Sequence, residues 1–156
     1  MSSRRLLAQP LLVALLLLGC ADSDLRFSSP AATFQTYGEA LASGDAETSW
    51  LCLSSGYRHL EYDDDAERWT SHVRRNGVVL SREVGRLEIS QEMEINDRLA
   101  FLRFDASTVD PGRGPFYYFL HEPEGWKITT HLDSLFRVEL ENAIERGEFS
   151  LPAVKH

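Results

Sequence analysis

The chain has 156 residues, 43% of them hydrophobic and 26% charged, with 16 Lys+Arg against 24 Asp+Glu and a formal net charge of −8. That length suits one domain with one core. The acidic balance argues against a nucleic-acid partner, which needs a cationic footprint, and against adsorption to anionic lipid by charge alone.

The first residues are addressed elsewhere in the cell. Arg4 and Arg5 precede an unbroken apolar run from Leu11 to Leu18, and the run stops at Gly19-Cys20. A basic start, a short apolar core and a small residue at its end are the parts of a secretory signal. A membrane-spanning helix needs about 20 apolar residues; Gln9 and Pro10 on one side and Asp22 and Asp24 on the other leave too few. Leu17-Leu18-Gly19-Cys20 resembles the lipobox of bacterial lipoproteins, with Leu18 larger than is usual at its position. The resemblance implies cleavage before Cys20, a diacylglycerol on its sulfur and a further acyl chain, such as palmitate, on the new amino group. Such chains anchor stably, because each buried CH₂ adds about 0.8 kcal/mol. Ala21 rather than an aspartate follows, which in enteric bacteria implies the outer membrane and a domain facing the periplasm.

Residues 1–19 are thus expected to be a signal peptide, 20–28 a lipidated tether, 29–151 one domain and 152–156 a tail. Losing Arg4 and Arg5 leaves 14 Lys+Arg against 24 Asp+Glu, a formal charge of −10. Cys52, the one other cysteine, lies in the apolar cluster Trp50-Leu51-Cys52-Leu53 and reads as a core residue.

Ser29-Pro30 reads as an N-cap with proline at the first helical position. Phe34, Tyr37, Gly38 and Leu41 then recur at helical spacing, so Pro30–Ser43 is an amphipathic helix. Gly44 ends it, and Asp45 caps a short second helix, Ala46–Leu53. Ser54–Tyr62 is irregular or a brief strand. Asp63-Asp64-Asp65 lacks the spacing of a calcium loop and suits the positive end of a third helix, with Ala66, Trp69, Thr70 and Val73 inside and Asn76-Gly77 as its stop. From Val78 the period becomes alternating, with Leu87, Ile89, Met93 and Ile95 on one side. Asn96-Asp97 is a two-residue turn, Leu99–Ser107 the return strand, Val109–Gly114 a loop, and Phe116–His121 and Trp126–His131 a second hairpin around Pro123. Asp133 or Ser134 caps a last helix with Phe136, Leu140, Ala143 and Ile144 as its stripe, closed by Gly147.

Helices, an antiparallel sheet of about four strands and a C-terminal helix make an α+β domain. Pro30-Ala31-Ala32-Thr33-Phe34, Tyr37-Gly38-Glu39-Ala40-Leu41-Ala42-Ser43-Gly44-Asp45 and Gly125-Trp126-Lys127-Ile128 resemble the nuclear transport factor two-like (SnoaL-like, cystatin-like fold) domains of bacteria. The resemblance spans Ser29–Leu132 and implies a cone, with helices against the concave face of a bent sheet. The terminal helix departs from its simplest members.

The two turns define an expected register. Pairing Ile95 with Arg98 and Glu122 with Trp126 puts Gln91, Leu102, Phe104, Phe116, Tyr118, Leu120, Ile128 and Thr130 on the concave face. Leu99, Phe101, Tyr117, Phe119, His121 and His131 fall on the outer one. Tyr37, Gln91, Tyr118 and Thr130 are then the candidate pocket. Catalytic relatives place an Asp or His in the cone, and this register supplies neither, so no catalytic residue, metal site or cofactor is assigned. Three functions follow. The first is a non-catalytic lipoprotein binding an apolar small molecule or lipid in the cone. The alternative is an interaction or scaffold lipoprotein with a filled cone, and the third an isomerase- or cyclase-type enzyme. The outer apolar patch needs a cover; the helix from Ser134 to Arg146 supplies it in a monomer, a second subunit in a dimer.

Overall fold

The computed structural model describes residues 24–150. The signal peptide, Cys20 and the tail 152–156 lie outside the described residues. Among those described, no helix is long and apolar enough to cross a membrane.

The domain is α+β, as expected: helices, an open four-stranded antiparallel sheet, then one helix. This layout is consistent with the nuclear transport factor two-like arrangement. A 3₁₀ turn, Leu25–Phe27, precedes α1, Pro30–Ser43. Ser29 caps α1 by accepting from Ala32 N–H at 3.0 Å, and Gly44 ends it at φ 74°. Asp45 caps α2, Ala46–Leu51.

Two expectations fail between residues 54 and 85. Ser54–Tyr62 is neither irregular nor strand: Ser54 accepts from Tyr57 N–H and starts α3, Ser55–Tyr62. Asp65 caps α4, but that helix does not stop at Asn76-Gly77. It runs from Ala66 to Gly85. Trp69, Val73 and Val84 are buried and Leu80 packs beside them, a helical stripe that continues through the glycine. Gly77 costs about 1 kcal/mol in a helix interior, but core contacts on both sides hold α4 together.

The sheet order is β1 (Ile89–Glu94), β2 (Leu99–Phe104), β3 (Phe116–Glu122), β4 (Gly125–Thr129). Both expected registers are corrected by one residue. Ile95 N–H donates to Leu99 O, so the first turn has three residues, Asn96-Asp97-Arg98. The Asn96 side-chain oxygen stabilises it by accepting from the backbone N–H groups of Arg98 and Leu99, each at 2.9 Å. Glu92 therefore faces Leu102, and a bulge between Ile89 and Gln91 restores Ile89 opposite Phe104. In the second hairpin Glu122 pairs with Gly125 and His121 with Trp126.

A one-residue slip moves every side chain to the other face. The concave layer against the helices holds Ala100, Leu102, Phe104, Tyr117, Phe119, Trp126 and Ile128. The outer layer holds Leu99, Phe101 and Leu120, with Tyr118 and Met93 beside them. So Leu99 and Phe101 lie outside as expected, while Tyr117 and Phe119 do not, and Tyr118 and Leu120 leave the concave face. α5, Ser134–Glu145, covers the outer layer with Phe136, Leu140 and Ala143, and Phe149 folds back onto Phe101 with ring centroids 5.4 Å apart.

The sheet edges differ. β4 is covered by residues 52–54: Ile128 N–H donates to Cys52 O and Ser54 N–H to Ile128 O, both at 2.8 Å. β1 is the open edge, and Glu88, Glu92 and Glu94 charge it against further pairing.

Candidate functional site

Aromatic rings fill the concave side of the sheet. Phe34 from α1 packs on Phe104 at 4.9 Å and on Tyr117 at 5.2 Å, and Phe104 meets Tyr117 at 5.5 Å. Deeper, Tyr37 stacks on Trp69 at 6.4 Å, and Trp50 and Tyr62 close on the same indole. The Trp69 Nε1–H donates to Ala46 O and Ser49 Oγ, both at 3.0 Å, so its polar edge is satisfied inside the core.

Among the described residues, a hollow of about 50 Å³ lies at the mouth, bounded by Leu87, Phe104, Val109 and Tyr117. Two ion pairs lie over it, Arg86–Asp110 at 2.7 Å and Arg113–Glu83 at 3.6 Å. These groups are a third or more exposed, so the pairs close the mouth without adding more than about 1 kcal/mol each. The space admits one or two waters; small-molecule pockets run to about 300–1,000 Å³.

The four candidate pocket residues do not come together. Tyr37 is buried among the helices, but Gln91 is exposed, paired with Arg103 on the outward side of β1. Tyr118 belongs to the outer cluster, 5.1 Å from the Phe136 ring. Thr130 follows β4 in a turn, where its carbonyl accepts from Asp133 N–H. The register slip separates them. The two histidines part as well: His121 meets Trp126 edge-on at 5.0 Å, on the side of the concave residues, and His131 sits by Tyr118 on the other.

The ionisable groups near the cone are poorly suited to proton transfer. Burial pushes the Tyr117 hydroxyl up to about 12 and Tyr37 well above the ordinary phenol range. Glu92 is raised by partial burial, with the Ala31 N–H opposing the rise, and it stands exposed at the open sheet edge. Burial likewise carries the Cys52 thiol up to about 12, and its Sγ donates to Thr48 O at 3.3 Å. Such a thiol is a core residue, not a nucleophile.

Two buried polar constructions escaped the sequence reading. Asp133, at 2% exposure, caps α5 through Leu135 N–H at 2.9 Å. Its second oxygen accepts from Thr129 Oγ1 at 2.7 Å and Ser54 Oγ at 3.3 Å, over Gly56, which has no Cβ to intrude. This ties α3, β4 and α5 at one point. Only the cap was legible; an i, i+4 Thr-Asp pair at a strand end is its one further signal. The second is Lys127, at 3% exposure. Its ammonium donates to Leu51 O at 2.8 Å and stands 3.5 Å over the Phe27 ring. Burial pushes its pKa down, and the ring face and the carbonyl are its compensation. Phe27 is thereby fixed to β4 at the point where the tether enters the domain.

Comparison of the chain with family models, with curated proteins and with solved structures returns no match.

Proposed function

We propose that the protein is a bacterial envelope lipoprotein, held on the periplasmic side of the outer membrane by acyl chains on Cys20. Its nuclear transport factor two-like domain would be a non-catalytic docking module that works through its surface. The observation that carries this is the filled cone: a residual hollow of about 50 Å³ under two ion pairs. That favours docking over the apolar-ligand reading, which needs roughly six times that space or more. It also weighs against isomerase or cyclase chemistry, since a base needs a substrate within hydrogen-bond reach. The domain is a monomer in this reading, because α5 occupies the outer sheet face that a second subunit would otherwise cover.

The test uses protein purified from the membrane and its soluble Ala21–His156 form. Organic extracts of the soluble form should contain no stoichiometric apolar molecule, and its sedimentation should be monomeric. An apolar ligand at one copy per chain would defeat the filled-cone reading. Anchoring has its own measurement. Intact mass of the wild-type protein should carry acyl chains on Cys20, and Cys20→Ser should lose both the acyl mass and the cleavage. Wild-type protein without acyl mass would end the envelope-anchor proposal.

A further inference from the structure

We propose that the groove between the C-terminal half of α1 and the middle of α4 docks an acidic, amphipathic helix of another envelope protein. The inference rests on the docking reading above and names its surface.

The groove encloses about 680 Å³. The buried Leu41 and Val73 underlie it, Gly77 leaves its floor low, Val78 gives it an exposed apolar wall, and Arg74 and Arg82 stand on its flank. Val78, on the groove wall, is 76% exposed, so its apolar side chain is open to an incoming partner. Charge is distributed unevenly. α4 carries Arg68, Arg74, Arg75 and Arg82 against Glu67 and Glu83, in a chain of net charge −8. Among the described residues the ion pairs engage Arg68 but not Arg74, Arg75 or Arg82. Two of these exposed guanidinium groups, Arg74 and Arg82, line the groove, and among the described residues neither has a carboxylate partner.

The occupant follows from this spacing. Arg74 and Arg82 are eight residues apart, about 12 Å along the helix. A second helix laid in the groove places carboxylates two turns apart over the two arginines and an apolar residue between them over Val78. Rim charges of this kind select partners and speed encounter more than they add affinity. A bilayer fits less well. The groove is concave, the chain is acidic overall and repelled by anionic lipid, and the groove lies about 20 Å along α1 from Ser29, where the tether joins.

A photo-crosslinking amino acid in place of Val78, in the full-length lipoprotein in cells, tests this. The expected result is a protein adduct whose crosslinked peptide, identified by mass spectrometry, is an acidic amphipathic segment. Introducing Arg74→Glu and Arg82→Glu together should lower its yield about tenfold or more, with the thermal midpoint of the domain unchanged. If that pair lowers the midpoint, Arg74→Gln with Arg82→Gln gives the same reading in a folded chain. The same crosslinker at Arg137, exposed on α5, should not yield that adduct. No protein adduct at Val78, an adduct to lipid, an adduct to a second copy, or a yield indifferent to charge reversal would each overturn the proposal. A ligand recovered from the cone would instead defeat the docking reading and leave the crosslink result to stand by itself.

Discussion

Phe104→Ala should destabilise the domain by about 3–5 kcal/mol. The ring is 2% exposed, and it packs against both Phe34 and Tyr117. It also forms one wall of the hollow at the mouth, so truncation enlarges an existing void rather than creating an isolated one. The wall opposite is held by the Arg86–Asp110 and Arg113–Glu83 pairs, which cannot collapse inward without burying charge. The added space is apolar on the side of Phe34 and Tyr117 and charged at its lid, so benzene should compete with water for it. Urea unfolding with and without saturating benzene checks both parts: the variant should gain stability from benzene and the wild type should not. A loss below about 1 kcal/mol would mean that the cone is not closely packed at its mouth.

Gly125→Ala should cost about 2–4 kcal/mol, from backbone strain and steric overlap together. Gly125 sits at φ 113°, a conformation that side chains rarely adopt. A Cβ there would also run into the Phe27 carbonyl and lie 2.8 Å from the Phe27 Cβ. Relief requires Phe27 to lift away, which strips the Lys127 ammonium of its aromatic face and opens its burial to water. Trypsin provides a readout besides stability, since Arg26 precedes Phe27. Cleavage after Arg26 should accelerate in the variant at temperatures where the domain is still folded. Wild-type stability together with wild-type cleavage would show that Phe27 is not pinned.

Capping chemistry was the legible part of this fold. Ser29, Asp45 and Asp133 each accept the backbone N–H that their position in the sequence announces. The outer cover was legible too, because Leu99 and Phe101 needed burial and Phe136, Leu140 and Ala143 were spaced to provide it. The candidate pocket was not, and the cause is local. Asn96-Asp97 satisfies the composition of a two-residue turn, yet the Asn96 side chain gathers Arg98 into the turn and shifts the ladder by one. Both faces of the hairpins are apolar at the middle strands, so hydrophobic pattern alone could not reject the wrong register. Asn76-Gly77 misled in the same way. Turn-forming residues stop a helix only where tertiary contacts do not continue, and Leu80 and Val84 continue them. The burial of Lys127 had no periodic signal at all; it depends on Phe27, a hundred residues earlier.

Phe27 also determines how far the domain can stray. Asp24 closes the 3₁₀ turn by accepting from Phe27 N–H at 2.9 Å, which joins it to the domain. From Cys20 to Asp24 a polypeptide extends no more than about 14 Å. If Cys20 carries lipid, as proposed, the domain would be leashed at the rim beside the β3–β4 turn, with Phe27 pinned and no further chain to release. It can roll on the bilayer but not roam above it. Its search for a partner is then a two-dimensional one, within a layer about one domain thick, and modest affinity suffices there because local concentration is high. In that arrangement any pull on a docked partner would return to the membrane through Phe27 and the short strand β4.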